Sequence, residues 1–77
     1  MALNLESIVD NSGQTFTNAY GIVETDGQYA NLGVWTDDTQ TVPVRYAGLA
    51  TYEVTEGSEE EDTITLLTAI GVSASII

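Results

Sequence analysis

Apolar and polar residues alternate along much of the chain, most clearly between Thr15 and Thr36 (TFTNAYGIVETDGQYANLGVWT). A period of two is the mark of a half-buried strand. Asp26-Gly27, set between two such runs, is a strong hairpin signal. A type I′ turn there needs positive φ at both central positions, which glycine takes freely and aspartate tolerates. The register that follows sets Val23 against Ala30, Gly21 against Leu32 and Ala19 against Val34 on one side. On the other, Tyr20 meets Gly33, Asn18 meets Trp35 and Ile22 meets Asn31, with Tyr29 nearby. Neither side is uniformly polar, although an open antiparallel sheet commonly has one wet face. The pattern predicts a small sheet covered on both faces, the second cover supplied by another subunit.

Ala2 to Val9 alternates more loosely, with Leu3, Leu5 and Val9 on one side and Asn4 and Glu6 on the other, and predicts a first strand. Asp10-Asn11-Ser12-Gly13 is turn chemistry. After a second turn at Asp37-Asp38-Thr39-Gln40, Thr41 to Tyr46 is expected to pair back on the hairpin. Val42 would lie beside Trp35 and Val44 beside Gly33, with Tyr46 ending the aromatic side. Pro43 would turn its missing N–H outward, marking an edge, and Arg45 would sit on the aliphatic side near Leu32. Ala47-Gly48 breaks the run, and Leu49 to Thr55 predicts a further strand with Tyr52 and Val54 on one side.

Residues 58–70 fit two conformations. As a helix, Ser58 is the N-cap, Glu61 completes a capping box, Glu59 to Asp62 stabilise the positive end of the dipole and Gly71 is the stop. Leu66, Leu67 and Ile70 would then be buried. As a strand, the dense β-branched content (Thr63, Ile64, Thr65, Thr68, Ile70, Val72) fits better. The completeness of the caps favours the helix. Val72 to Ile77 is then an apolar C-terminal tail that finds its cover against a neighbouring subunit. The chain is expected to be one mainly β domain (1–77), a small antiparallel sheet or sandwich of four or five strands with one short helix at about 58–70.

Composition sharpens the expectation of partners. At 77 residues, without cysteine or histidine, the chain has neither disulfides nor the commonest metal ligands. Small domains lacking such staples often depend on oligomerisation. Twelve acids face one base, Arg45, for a net charge of −11. Eleven charges make about 55 like pairs, and at about 20 Å in water each repels by about 0.2 kcal/mol, on the order of 10 kcal/mol in all. A Debye length of about 8 Å reduces this to roughly 1 kcal/mol. The fold is thus expected to need salt, bound cations or a cationic partner; the plainer reading is solubility alone.

The residue types argue against catalysis. Without His, Cys or Lys, general-base work falls to carboxylates, and pairs such as Asp37-Asp38 or Glu59-Glu60 sit where acids are ordinarily solvated. Neither an EF-hand pattern nor a phosphate-binding glycine motif occurs, so no metal and no cofactor is expected, and a small-molecule ligand is not expected either. The negative charge opposes direct nucleic-acid binding. The stretch TITLLTAIGVSASII is too short for a membrane span, and MALNLESIVD lacks the features of a signal peptide. Two groups remain as interface candidates: Tyr20, Tyr29, Trp35 and Tyr46 on the sheet, and Val72, Ile76 and Ile77 in the tail. For both, packing within the domain is the plainer alternative. If Trp35 is buried, its removal would cost about 3–5 kcal/mol.

An N-terminal apolar strand beginning Met1-Ala2-Leu3, then Ser12-Gly13, then Asn18-Ala19-Tyr20 leading into Val23-Glu24, resembles a group of small tailed-phage structural proteins. The later order is also similar: Val34-Trp35-Thr36, Pro43-Val44, an acidic segment and an apolar C-terminus. The resemblance implies a virion component without catalysis or cofactor, present in many copies, with other virion proteins or further copies of itself as partners. Head decoration, tail and connector all remain open. The absence of lysine fits a virus of a saline host. The alternative from another class is an acidic DNA mimic that blocks a nucleic-acid-binding protein. Whichever applies, the melting temperature is expected to rise between dilute buffer and molar NaCl; a flat profile in thermal denaturation would show that charge repulsion does not limit the fold.

Overall fold

The computed structural model describes residues 1–46 and 51–77. Its elements are β1 (Ala2–Val9), β2 (Thr15–Asp26), β3 (Tyr29–Trp35), β4 (Tyr52–Glu53), α1 (Glu59–Ala69) and β5 (Ala74–Ile76). The strands form one antiparallel sheet in the order β4-β3-β2-β1-β5. The mainly β class with one short helix is therefore the observed one, as an open sheet rather than a sandwich. The expected break at Ala47-Gly48 and the start of a strand at Leu49 lie outside the described residues.

The central hairpin keeps the expected faces but not the expected register. Tyr20 pairs with Trp35, Gly21 with Val34, Ile22 with Gly33 and Val23 with Leu32, out to Asp26 with Tyr29. The pairing has slid by two residues, so Gly27 and Gln28 form the loop. Gly27 has φ +65°, and neither Asp26 nor Gln28 has positive φ. Positive φ at the first loop position alone is the pattern of a type II′ turn, which spares aspartate the left-handed region. A shift of two leaves every side chain on its face.

A second departure lies between β1 and β2. Their register runs from Ala2–Ile22 to Val9–Thr15 with the rung at Glu6 and Asn18 missing. Asn18 has φ +54°, a left-handed conformation that Asn adopts more readily than most residues. Alternation slips by one on both strands at this rung. Leu3 and Leu5 face the core before it and Ile8 after it, leaving Val9, expected inside, 54% exposed. On β2, Phe16 packs against the core below the rung and Ala19 is buried above it. The turn joining the strands is held by Asp10, whose Oδ1 accepts from Ser12 N (2.9 Å), Ser12 Oγ (2.7 Å) and Gln14 N (2.9 Å). Chiefly the Ser12 hydroxyl, then the Gln14 amide, hold this carboxyl below its usual range. The turn's stabilisation is therefore full above the unfolded-state pKa of Asp10 and is lost as pH falls through the lower folded value.

Thr41–Tyr46 does not become a strand. Only Trp35 and Pro43 form a bridge, flanked by Thr36 N–H to Val42 O (3.0 Å) and Val44 N–H to Val34 O (2.8 Å). Proline offers no N–H to continue a ladder. Because Pro43, not Val42, stands opposite Trp35, the parity reverses. Val44 enters the core, Val42 is exposed, and Arg45 is exposed rather than packed near Leu32.

The helical reading of 58–70 holds as α1, with Ser58 at the N-cap and Gly71 just past the end as expected but with different capping bonds. Ser58 makes no side-chain cap bond. Asp62 Oδ2 instead accepts Thr55 N–H (2.6 Å) and Glu59 Oε1 accepts Gly57 N–H (3.0 Å), tying the helix start to the chain before it. The far end closes by Gly71 N–H to Thr68 O (3.0 Å) and Val72 N–H to Leu67 O (2.8 Å), with Gly71 at φ +84°. This is a Schellman motif, and its usual apolar contact falls between the buried pair Leu67 and Val72. Of the residues expected on the buried arc, Leu67 is buried, Leu66 is half-buried and Ile70 is exposed.

The reversal at Gly71 delivers Ala74–Ile76 onto β1, pairing Leu3 with Ile76, Asn4 with Ser75 and Leu5 with Ala74. Half of the expected tail, Ala74–Ile76, is thus an edge strand of its own sheet. Leu3, Leu5, Ala19, Val23, Ala30, Leu32 and Val34 from the sheet meet Val44, Tyr52, Val54, Leu67 and Val72 in a single core. Gly21 admits the crossing, since a Cβ there would lie 2.7 Å from Leu5 Cδ1 and 3.2 Å from Leu32 Cδ1.

One polar pair is locked inside that core: Tyr52 OH and Thr63 Oγ1 are 2.8 Å apart. Burial raises the Tyr52 phenol above its ordinary value, with the Thr63 bond opposing. Its contribution is full below the unfolded-state value of 10.0 and is lost as pH rises through the folded one. Tyr52→Phe is expected to cost about 1–3 kcal/mol by orphaning the Thr63 hydroxyl, and adding Thr63→Val to recover most of it. Urea denaturation of the four cycle members measures both; an additive cycle would show that the two groups are not coupled.

Candidate assembly surface

The sheet has one covered face and one open face. Among the described residues the helix packs on the core face through Thr63 and Leu67, and no element lies across the other. Alternation puts Ala2, Asn4, Tyr20, Ile22, Glu24, Asp26, Tyr29, Asn31, Gly33, Trp35, Glu53 and Ser75 on that open face, as the strand registers require.

Its apolar part is a row across β2 and β3 that ends at the bridged Pro43. Asn4 pairs with Tyr20, Tyr20 with Trp35, and Trp35 with Pro43 beyond the end of β3's ladder with β4. Ile22 and Gly33 form the next rung. The indole of Trp35 folds back over Gly33: a Cβ there would stand 2.7 Å from Cη2 and 3.0 Å from Cζ3 of the ring. An aromatic ring lying over a strand glycine covers backbone that would otherwise be bare. Tyr20, Ile22 and Trp35 are all half-buried, so the row keeps apolar area in contact with solvent.

The structure brings together only some of the expected interface residues. Tyr20 and Trp35 are neighbours. Tyr29 shares their face but stands six residues along β3, roughly 20 Å from Trp35, where Asp26 and Glu53 flank it on the adjacent strands. Tyr46 belongs to the other side: it packs against the core and its OH donates to Leu32 O at 2.8 Å. Burial, and then the charge of a Tyr52 phenolate, push its pKa up. Val72 is a core residue, whereas Ile76 and Ile77 are 44% and 70% exposed. Ile22, expected on this face but not among the interface candidates, joins the row, and so does Pro43, which was not expected there. Ile22 was legible in the alternation; Pro43 was not, because its placement depends on a single bridge.

No family model, no curated protein and no solved structure matches this chain. In this fold Ser12-Gly13 closes the first turn, Asn18 makes the left-handed kink, Ala19 is fully buried and Tyr20 opens the outer row.

Among the described residues no group of three or more His, Cys, Asp or Glu could hold a metal ion, and no helix is long and apolar enough to cross a membrane. A depression of about 410 Å³ where residues 43–46 leave β3 is lined by Trp35, Pro43, Arg45 and Tyr46 with Asn11, and among the described residues lining it Arg45 alone is charged.

The partial exposure of Trp35 lowers the expected cost of removing it. Trp35→Ala should lose about 1–2 kcal/mol, less than the 3–5 typical of a fully buried aromatic, since only part of its area returns to water. Gly33→Ala should push the ring outward and red-shift tryptophan emission. An unchanged spectrum in that variant would contradict the stacking.

Proposed function

We propose that this chain is a non-catalytic structural protein of a tailed virus particle, present in many copies as a head decoration or as a tail or connector accessory. One observation carries the proposal: a folded sheet whose open face displays Tyr20, Trp35, Ile22 and Pro43 in one uncharged row, with no element across it among the described residues. Tyr and Trp bring large area with little conformational freedom to lose, which suits a docking face. In an assembly the neighbour supplies that cover, and particle stability adds to a thin fold-level margin. The resemblance of Ser12-Gly13 and Asn18-Ala19-Tyr20 to small tailed-phage structural proteins supports the setting, and a surface of twelve acids without lysine suits saline water.

The acidic end of the same face favours a second reading. There Asp26 and Glu53 flank Tyr29, with Glu24 one rung away, and carboxylates so presented could stand in for DNA phosphates before a basic nucleic-acid-binding protein.

The two separate by salt and by location. A particle component is expected to sediment with purified particles at fixed stoichiometry in molar NaCl, and Trp35→Asp with Tyr20→Asp to be excluded from them. A chain missing from particles, captured instead by basic DNA-binding proteins and released by salt, would overturn the structural role.

A further inference from the structure

Strand order leaves β5 at one margin of the sheet. Its inward groups are engaged: Glu6 N–H donates to Ser73 O (2.9 Å) and Ile77 N–H to Ala2 O (3.0 Å), bracketing the Asn4–Ser75 rung. Along an antiparallel strand the N–H and C=O groups of successive residues alternate between its two edges. Those of Ser73, Ser75 and Ile77 turn toward β1, so those of Ala74 and Ile76 turn outward. Such an edge is a template for another strand, and proteins ordinarily blunt it with charge, proline or a bulge. Here residues 63–77 contain neither a charged side chain nor a proline, in a chain of twelve acids. The opposite margin, β4, carries Glu53.

We propose that β5 pairs with β5 of a second copy, antiparallel about a two-fold axis at Ser75, extending one sheet into the next. Ala74 of each copy then faces Ile76 of the other. Each of these two rungs exchanges both of its N–H···O bonds, and the two Ser75 residues face each other between them. Exposed Ile76 and Ile77 gain apolar cover from the joined sheet. Charge selects a like copy over a basic partner. Two chains of net charge −11 meet here without setting carboxylate against carboxylate, whereas a cationic segment finds nothing on this edge to bind. The contact is short, well below the about 1,200 Å² buried by stand-alone complexes, so it is weak alone and gains strength by repetition in an array. It deepens the building-block reading and takes its setting from it.

Sedimentation equilibrium from micromolar to millimolar chain, in dilute buffer and in molar NaCl, tests the pairing. A dimer is expected, tighter by on the order of tenfold in molar salt as the copies' mutual repulsion is screened; a contact with a cationic partner has the opposite dependence. Ile76→Pro removes an outward N–H while leaving the bonds to β1, as proline does on an edge strand. Ser75→Lys sets two like charges face to face across the axis. Both variants are expected to stay monomeric with a wild-type circular dichroism spectrum. A wild-type chain that remains monomeric throughout overturns the proposal. So does a folded Ile76→Pro or Ser75→Lys chain that associates as tightly as wild type or more so. Loss of pairing with the chain still present in purified particles sinks the edge contact alone; pairing intact in a chain absent from particles sinks the building-block reading alone.

Discussion

A single helix of 11 residues is about 16 Å long and can lie across one face of a five-stranded sheet, not both. That limit shapes the molecule. Among the described residues, every large aliphatic side chain that is fully buried (Leu3, Leu5 and Leu67) belongs to the helix side. The opposite face has to make do with what its own strands provide, and Trp35 folding over Gly33 is the local answer. Half-burial of Tyr20, Ile22 and Trp35 follows from geometry rather than from any weakness of their hydrophobicity.

Much of this was legible in the chain. Alternation from Thr15 to Thr36 assigned nearly every residue of the hairpin to its face, because a period of two is robust to a register shift of two. Turn chemistry, by contrast, points to the wrong pair: Asp26-Gly27 predicts a type I′ loop, whereas the loop is Gly27-Gln28, with positive φ at the glycine alone. Helix 59–69 was recognisable from its acidic start and from Gly71, although the capping hydrogen bonds come from Asp62 and Glu59 rather than from Ser58.

Where inference from sequence failed, the cause was a shift by one residue. Pro43 rather than Val42 meeting Trp35 sent Val44 inward and left Tyr46 bonded to Leu32 on the core side. Likewise, the slip at Glu6 and Asn18 exchanged Val9 for Ile8. Odd shifts are invisible to periodicity, since each side of the slip looks like a proper strand. The apolar run at the C-terminus predicts a surplus needing an outside partner, yet the turn at Gly71 folds Ala74–Ile76 against β1 and leaves a bare margin. Sequence shows that residues are greasy; which neighbour reaches them is set by a reversal of chain direction.

The left-handed residue at Asn18 has a further consequence. Because β1 and β2 change parity at the same rung, the change cancels between them and the ladder runs on in one register above and below it. Their lengths are therefore tied. A lone residue gained or lost on one strand near this rung would turn half of that strand inside out, and one residue added to each strand would keep the pairing yet turn the far half of both over, so only steps of two on both strands leave every side chain on its face. Drift in such a hairpin is confined to paired steps, with the asparagine as the fixed point about which both strands keep count.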